Sequence, residues 1–408
     1  EREGQVGVEL SQAEVLQRPS PSLDLFQTAR GLITPDGVPE QFDYHDHLDL
    51  QLTVDSRLQR YVQTLLAEEN ERHSAKRSIA IVMDVNTGAI RAMVTEPSYD
   101  PNKPLTEDDI PLLVNSAVSH LYEPGSTFKP INVAIALESG RLQATDIIYD
   151  SGRVNIGPWT ISNYDYSSRG ARGSLTVAEV LKYSSNVGMI QIMQKLDAEQ
   201  YFDWLSNLGL GKLTQIDLPF EAPALTKDRE TFIESPVEAA TTAFGQGVSL
   251  TPIQLVQMNA AIANGGLLVT PHVVEGLFDR NGQRQWTPER PEPFPVFSPT
   301  TSRLVVEMME TVVADGTGKT AQVPGYRIAG KTGTAQKAGS RGGYDDSVKV
   351  TSFVSIFPVE APQFVVLVIV DEPKGGNAFG GTVAAPITQK IIEQLIALED
   401  ILPAQSPE

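Results

Sequence analysis

The sequence predicts a mixed α+β chain whose single sheet is assembled from both ends of the polypeptide, with a helical region between them. Three observations carry this expectation. Near the N-terminal side, Ile79–Asp84 and Ala89–Val94 flank Asn86-Thr-Gly88 and read as two strands of a hairpin, with a turn of two residues or longer. Far along the chain, Val350–Phe357 and Phe364–Val370 are strongly β-branched and are joined by the short Pro358–Pro362 connection. Between these ends, the pattern from about Thr176 to Thr270 is mainly helical. Strands at both ends with helices between them imply one sheet built from distant segments.

Each element follows from local chemistry. Residues 1–50 are rich in Pro, Gly, Gln and charge and read as an arm, a linker or the remnant of an upstream domain. Asp55 or Ser56 caps a helix whose stripe is Leu58, Tyr61, Val62, Leu65 and Leu66. Glu96–Val114 is a Pro- and Asp-rich connector. A helix then runs from near Ser126 through Ile131, Ala134, Ile135 and Leu137 to a Gly140 stop. Leu175–Glu179 opens another. Thr251-Pro-Ile-Gln254 opens a third, with Pro252 at its favoured first position and Asn264-Gly-Gly266 ending it. Ser302–Val313 is one more helix, Tyr326–Ala329 a strand, and Ala384 to about Leu398 the closing helix. The expected organisation is an arm (1–50), one domain (51–402) and a tail (403–408). The sheet is expected from about 79–95 and 326–372, and a helical subdomain from about 115–315. No internal repeat is visible.

Composition removes several function classes. With 51 acidic against 32 basic residues the formal charge is −19, which argues against a nucleic-acid binder. The absence of cysteine is compatible with export. His45 and His47 alternate in Tyr44-His-Asp-His-Leu48, but two histidines make a weak metal pair and read better as a polar loop or strand edge. No apolar run reaches the roughly 18 residues of a membrane span. The chain starts at Glu1 without methionine, so a preceding signal or anchor segment is an open expectation. Gly316-Thr-Gly-Lys-Thr320 is not a phosphate-binding loop, because position 313 is valine where that pattern needs glycine.

Three short motifs carry chemistry. In Glu123-Pro-Gly-Ser-Thr-Phe-Lys129, a turn enters a helix near Ser126, and Lys129 three residues on lies on the same face. The positive end of a helix, burial or a second cation would disfavour a protonated amine, and a neutral lysine can take the proton of a serine nucleophile. In Tyr183-Ser-Ser-Asn-Val187, Ser184 and Asn186 read either as helix-capping groups or as a proton-relaying hydroxyl and an orienting amide. In Lys331-Thr-Gly-Thr334, beside a strand, the lysine and the Thr332 and Thr334 hydroxyls suit a carboxylate, and Gly333 would let a ligand lie close to the backbone. An exposed strand edge here could also pair with an extended peptide.

Ser-x-x-Lys, Ser-x-Asn and Lys-Thr-Gly in this order are the signature of penicillin-binding proteins and β-lactamases. The chain resembles a class B penicillin-binding protein from roughly Leu52 to Ile392. Longer blocks carry the resemblance: Asn86–Ala92, Tyr122–Lys129, Phe244–Gln254, Asp315–Gly318, Gly330–Gln336 and Gly380–Pro386. Within that family it is most similar to the division type, penicillin-binding protein 3, on Ser352-Phe353 and Asp371-Glu-Pro-Lys374.

The resemblance implies a central antiparallel five-stranded sheet flanked by helices, plus a helical subdomain. It implies a serine D,D-transpeptidase of septal peptidoglycan synthesis. Ser126 would be acylated, Lys129 would act as base, and Ser184 and Asn186 would relay and position. Lys331 and Thr332 or Thr334 would hold a carboxylate. The backbone N–H groups of Ser126 and Thr334 would form the oxyanion hole. It implies no cofactor and no metal. Stem peptides and β-lactams would be its ligands, and a membrane glycan polymerase with other division proteins its partners. The place implied is the outer face of a bacterial inner membrane, with the anchor segment absent from this chain. Alternatives are a D,D-carboxypeptidase or β-lactamase, and a β-lactam sensor or non-catalytic scaffold. A hydrolase would need a water-orienting base. Glu221, in Pro219-Phe-Glu-Ala-Pro-Ala-Leu225, is the one carboxylate near the right place, and it lacks the Glu-x-x-Leu-Asn context of class A β-lactamases.

Overall fold

A computed structural model describes residues 4–16, 25–27, 33–35, 48–338 and 343–404. His45, His47, much of the 1–50 arm and the end of the 403–408 tail lie outside the described residues. The core is a five-stranded sheet of β1 (Arg77–Asp84), β2 (Ile90–Glu96), β3 (Ala329–Ala338), β4 (Tyr344–Phe357) and β5 (Phe364–Asp371). Its order is β3-β4-β5-β1-β2, and every neighbouring pair is antiparallel. The two ends of the chain meet where β5 pairs with β1, Leu367 opposite Ile81.

Both faces of the sheet are covered, so its central strands β1 and β5 read as nearly continuous apolar runs, and all eight residues of β5 are buried. Alternate side chains still separate by face. Ile79, Ile81, Val354 and Leu367 join the core under the helical region. Ala80, Val82, Phe353, Phe357 and Val366 join a second core under two helices, α1 (Ser56–Arg72) and α7 (Ala384–Leu398). Asp55 is the α1 cap, its carboxylate accepting from the Arg57 and Leu58 amides. The hairpin turn is indeed longer than two residues: Asp84 Oδ1 accepts from the Asn86 and Thr87 amides, and Gly88 returns the chain at φ 82°.

The helical region contains α2 (Lys129–Glu138), α3 (Val177–Lys182), α4 (Asn186–Met193), α5 (Pro252–Ala263) and α6 (Pro299–Asp315). Thr176 with Glu179, and Thr251 with Gln254, close reciprocal capping boxes on α3 and α5. Helices α2 and α5 are buried almost all round, which suits central packing.

Three local readings change. Stretch 115–315 also holds two short strand pairs, Ile147–Asp150 with Gly173–Thr176 and, between them, the hairpin Arg153–Ile156 with Trp159–Ser162, too short to show a two-residue period. The Glu96–Val114 connector contains a 3₁₀ turn, Glu107–Leu113, despite Pro111. The end of the arm is not free: Asp49–Leu52 pairs with Val274–Phe278, and Ser11 Oγ donates to the Asp217 carbonyl at 2.8 Å.

Candidate active site

Ser126 lies one step earlier in structure than its sequence suggests. Gly125–Phe128 forms a 3₁₀ turn, and the α-helix α2 begins only at Lys129, with Pro130 harmless in its first turn. Thr127 Oγ1 donates to the Pro124 carbonyl at 2.8 Å and tightens that turn. Gly125 enters it at φ 56°, its amide donating to the Gly245 carbonyl at 2.9 Å. A Cβ on Gly245 would stand 1.8 Å from the Gly125 carbonyl oxygen, so only glycine fits that approach. Half-buried Ser126 is thereby held at the lip of the site, and Lys129 is carried inside with no exposure.

Lys129 Nζ donates to the Ser184 carbonyl at 2.7 Å, Ser184 Oγ at 3.2 Å and Asn186 Oδ1 at 2.8 Å. From the opposite side Lys331, also fully buried, donates from Nζ to Ser184 Oγ at 2.9 Å and to the Thr332 carbonyl at 3.1 Å. Ser184 is thus shared by the two lysines. It sits between α3 and α4 at φ 58°, a left-handed conformation that costs a serine on the order of 1–3 kcal/mol unless its surroundings impose it. The Lys129 bond to its carbonyl is one such constraint. Ser185, not Ser184 or Asn186, caps α4, with Oγ accepting from the Gly188 amide at 2.8 Å.

Among the described residues neither lysine has a salt-bridge partner, and two adjacent buried ammonium groups would repel strongly. Burial, then the Lys331 charge, holds Lys129 well below its ordinary value, while Asp150 pulls the other way. Burial alone brings Lys331 down to about 7.

Lys331-Thr-Gly-Thr334 lies within β3, not beside a strand. Strand β3 is the sheet's edge, so half of its backbone groups have no ladder partner. Thr332 Oγ1 shares a 2.8 Å hydrogen bond with Thr317 Oγ1, and Thr334 Oγ1 accepts from the Gly380 amide at 3.1 Å. Gly333 serves the protein's own packing. A Cβ there would meet Ser352 Oγ at 2.3 Å, Thr127 Cγ2 at 3.0 Å and the Pro124 carbonyl oxygen at 3.1 Å. The turn bearing Ser126 therefore rests directly on this strand.

Ser126, Lys129, Ser184, Asn186 and Lys331 through Thr334 thus line one place between the edge strand and the helical region. Glu221 does not join them: its carboxylate accepts from the Thr214 amide at 2.7 Å and the Gln215 amide at 3.2 Å. Sequence reasoning missed Asp150 and Asn163, both buried behind Asn186, and Thr317 beneath Thr332. Asp150-Ser-Gly152 reads only as a turn, and nothing local connects it to the site. Among the described residues, no helix is long and apolar enough to cross a membrane.

The family model described as penicillin binding protein transpeptidase domain matches residues 78–393. The chain is 40% identical to a peptidoglycan D,D-transpeptidase FtsI homolog from Mesostigma viride, over 98% of this chain and 70% of that one. It is 32% identical to peptidoglycan D,D-transpeptidase FtsI of Escherichia coli, over 87% of this chain and 57% of that one. Among solved structures it resembles penicillin binding protein 3 of a Mycobacterium, in its apo form and in complex with aztreonam. In each comparison the TM-score is 0.80 and identity 31%, over 88% of this chain and 81% of the other.

Proposed function

The chain belongs to the penicillin-binding protein transpeptidase family, and from that premise we infer that it is a serine D,D-transpeptidase cross-linking peptidoglycan stem peptides during septal wall synthesis. The observation that carries the mechanism is the convergence of two buried, mutually repelling lysines on Ser184 Oγ, with the turn that bears Ser126 packed on the strand that bears Lys331. One lysine is best kept neutral there, and a neutral amine next to a hydroxyl makes a nucleophile.

The D-Ala-D-Ala end of a donor stem lies along the edge of β3. Its terminal carboxylate is held by Lys331 with the Thr332 and Thr334 hydroxyls. Ser126 Oγ gives its proton to Lys129 Nζ and attacks the penultimate carbonyl carbon. The oxyanion takes hydrogen bonds from the Ser126 and Thr334 amides. The C–N bond then breaks, and the proton travels from Lys129 through Ser184 Oγ to the departing D-alanine nitrogen. An acceptor stem's amine attacks the ester, loses its proton by the reverse route and frees Ser126. No step calls for a metal or organic cofactor. β-Lactams present the same carbonyl and carboxylate. A membrane glycan polymerase and other division proteins are the partners this reading implies, on the outer face of a bacterial inner membrane.

Labelled penicillin tests the reading. One adduct on the tryptic peptide containing Ser126 is expected, and none in Ser126→Ala. With a stem-peptide thioester, amine transfer should exceed hydrolysis. Label elsewhere sinks the nucleophile, and hydrolysis alone moves the protein to the carboxypeptidases.

A further inference from the structure

Resting on the reading of Ser126 as the acylated serine, we propose that Asp150 and Asn163 are a buried positioning pair that fixes the orientation of Asn186 and keeps a negative charge within reach of Lys129. Asp150 ends the strand Ile147–Asp150 and has no exposure. A buried carboxylate is costly unless its oxygens find donors. The Asp150 oxygens do so without a salt bridge to any of the described residues. Oδ1 accepts from the Gly152 amide at 2.7 Å, and Oδ1 and Oδ2 accept from Asn163 Nδ2 at 2.9 and 2.8 Å.

An ionised carboxylate only accepts, so it decides which way the Asn163 amide faces. With Nδ2 turned to Asp150, Asn163 Oδ1 is aimed at the start of α4. There it accepts from the Asn186 amide at 2.8 Å, the Val187 amide at 3.1 Å and Ser185 Oγ at 3.3 Å. The preceding residue completes the arrangement: the Ser162 carbonyl accepts from Asn186 Nδ2 at 3.2 Å. Only Oδ1 of Asn186 is then left for Lys129 Nζ, at 2.8 Å. If the Asn186 amide were reversed, its N–H groups would face the lysine donors and the bond would be lost. A carboxylate two residues removed from the chemistry thus holds the backbone at Asn186, while the neighbouring Ser162 carbonyl turns the side chain that touches the base. Its charge also acts on Lys129 directly, opposing the effects of burial and of Lys331. The base stays neutral yet strong enough to take a serine proton.

The alternative is a mere brace that closes a turn and caps a helix. Acylation by labelled penicillin, followed from pH 5 to 10 in the full chain, separates the two. A brace has no reason to move a titration. In Asp150→Asn the plateau should fall about tenfold or more, and the acid limb should shift to lower pH, because Lys129 loses a charge that favours its protonated form. Asn163→Ala and Asn186→Ala, made singly and together, give the second measurement. If Asn163 acts through Asn186, the double variant loses no more than Asn186→Ala alone. An unmoved acid limb in a folded Asp150→Asn, or losses that multiply in the double variant, overturns the proposal. Should Asp150→Asn not fold, the asparagine pair decides by itself. Labelling of the wild-type protein on Ser126 is read first, so a failure of the functional reading is recognised separately.

Discussion

Replacing Gly333 by alanine would separate the nucleophile from the edge strand. The added Cβ meets three atoms closer than ordinary contact: Ser352 Oγ at 2.3 Å, Thr127 Cγ2 at 3.0 Å and the Pro124 carbonyl oxygen at 3.1 Å. The serine hydroxyl is one rotatable atom and can turn away. The other two belong to the turn carrying Ser126, and the 2.8 Å bond from Thr127 Oγ1 to the Pro124 carbonyl makes them move together. The turn must therefore retreat by a few tenths of an ångström. Overpacking of this kind costs about 1–3 kcal/mol of stability. The catalytic loss should be larger in proportion. Attack and oxyanion binding draw on both sides of the contact, and a 1 Å misplacement can cost on the order of 100-fold. We expect the acylation rate constant for a penicillin to fall roughly 10- to 100-fold with only a modest drop in melting temperature. Ser352→Gly added to Gly333→Ala removes the 2.3 Å clash alone, so it should restore part of the stability and little of the rate. Acylation within twofold of wild type in folded Gly333→Ala would refute the packing argument. So would full recovery of rate in the double variant.

The two lysines should fail differently. Lys129→Ala should remove most of the acylation rate, by about 100-fold or more. Lys331→Ala should chiefly weaken β-lactams that bear a carboxylate, and a ligand with that carboxylate neutralised should be less sensitive; equal affinity losses in both variants would contradict the division of roles. In the wild type, acylation should fall at low pH as Lys129 protonates below its depressed value. It should fall again at high pH as Lys331 loses its proton around about 7, an alkaline limb that Lys331→Ala should lack; because the lysines interact, the limbs belong to the pair. The same shift has a stability consequence: below about 7 the folded chain bears the full cost of a buried ammonium, and between about 7 and 10.5 the unfolded chain binds a proton that the folded one does not, so stability rises with pH across that window. Lys331→Met should accordingly melt higher at acid pH while losing recognition, and no gain there would speak against the burial cost. Glu221 is tied to the Thr214 and Gln215 amides, so Glu221→Gln should leave the lifetime of the penicilloyl adduct, many minutes, nearly unchanged; rapid turnover of a chromogenic β-lactam, lost in that variant, would reassign the protein as a hydrolase.

The sheet was legible because its signals are redundant. Ile79–Asp84 and Phe364–Val370 are apolar on both faces and bounded by turns. Helices α3 and α5 were legible from capping residues whose partners lie three positions away. What failed depended on distant groups. The α-helix starts at Lys129, not at Ser126, because the turn before it is shaped by Gly245, far along the chain. Lys331-Thr-Gly-Thr334 reads as lying beside a strand because lysine and glycine are depleted from strands, yet pairing with Thr351–Val354 supplies what propensity does not.

The candidate site divides along the same line. Residues proposed to touch substrate stand in short ordered motifs, since their chemistry needs particular side chains at particular spacings. Residues that position them need only a donor or an acceptor in the right place, and many sequences supply one. Asp150-Ser-Gly152 looks like any acidic turn, and Asn163 like any polar residue after a strand. Their meaning arises when Asn163 meets α4, and that contact exists only once Ile147–Asp150 has paired with Gly173–Thr176 and carried the intervening hairpin against the helix. The lysines show the converse. Nothing in Ser-x-x-Lys or Lys-Thr-Gly alone says that both amines are buried, but burial is what depresses Lys129 and Lys331. Lys129 and Lys331 are both buried only in the assembled fold. On the proposed mechanism the base is therefore made by the fold, and a change that loosened the packing of β3 against the Gly125–Phe128 turn would restore an ordinary, protonated lysine before it removed any catalytic atom.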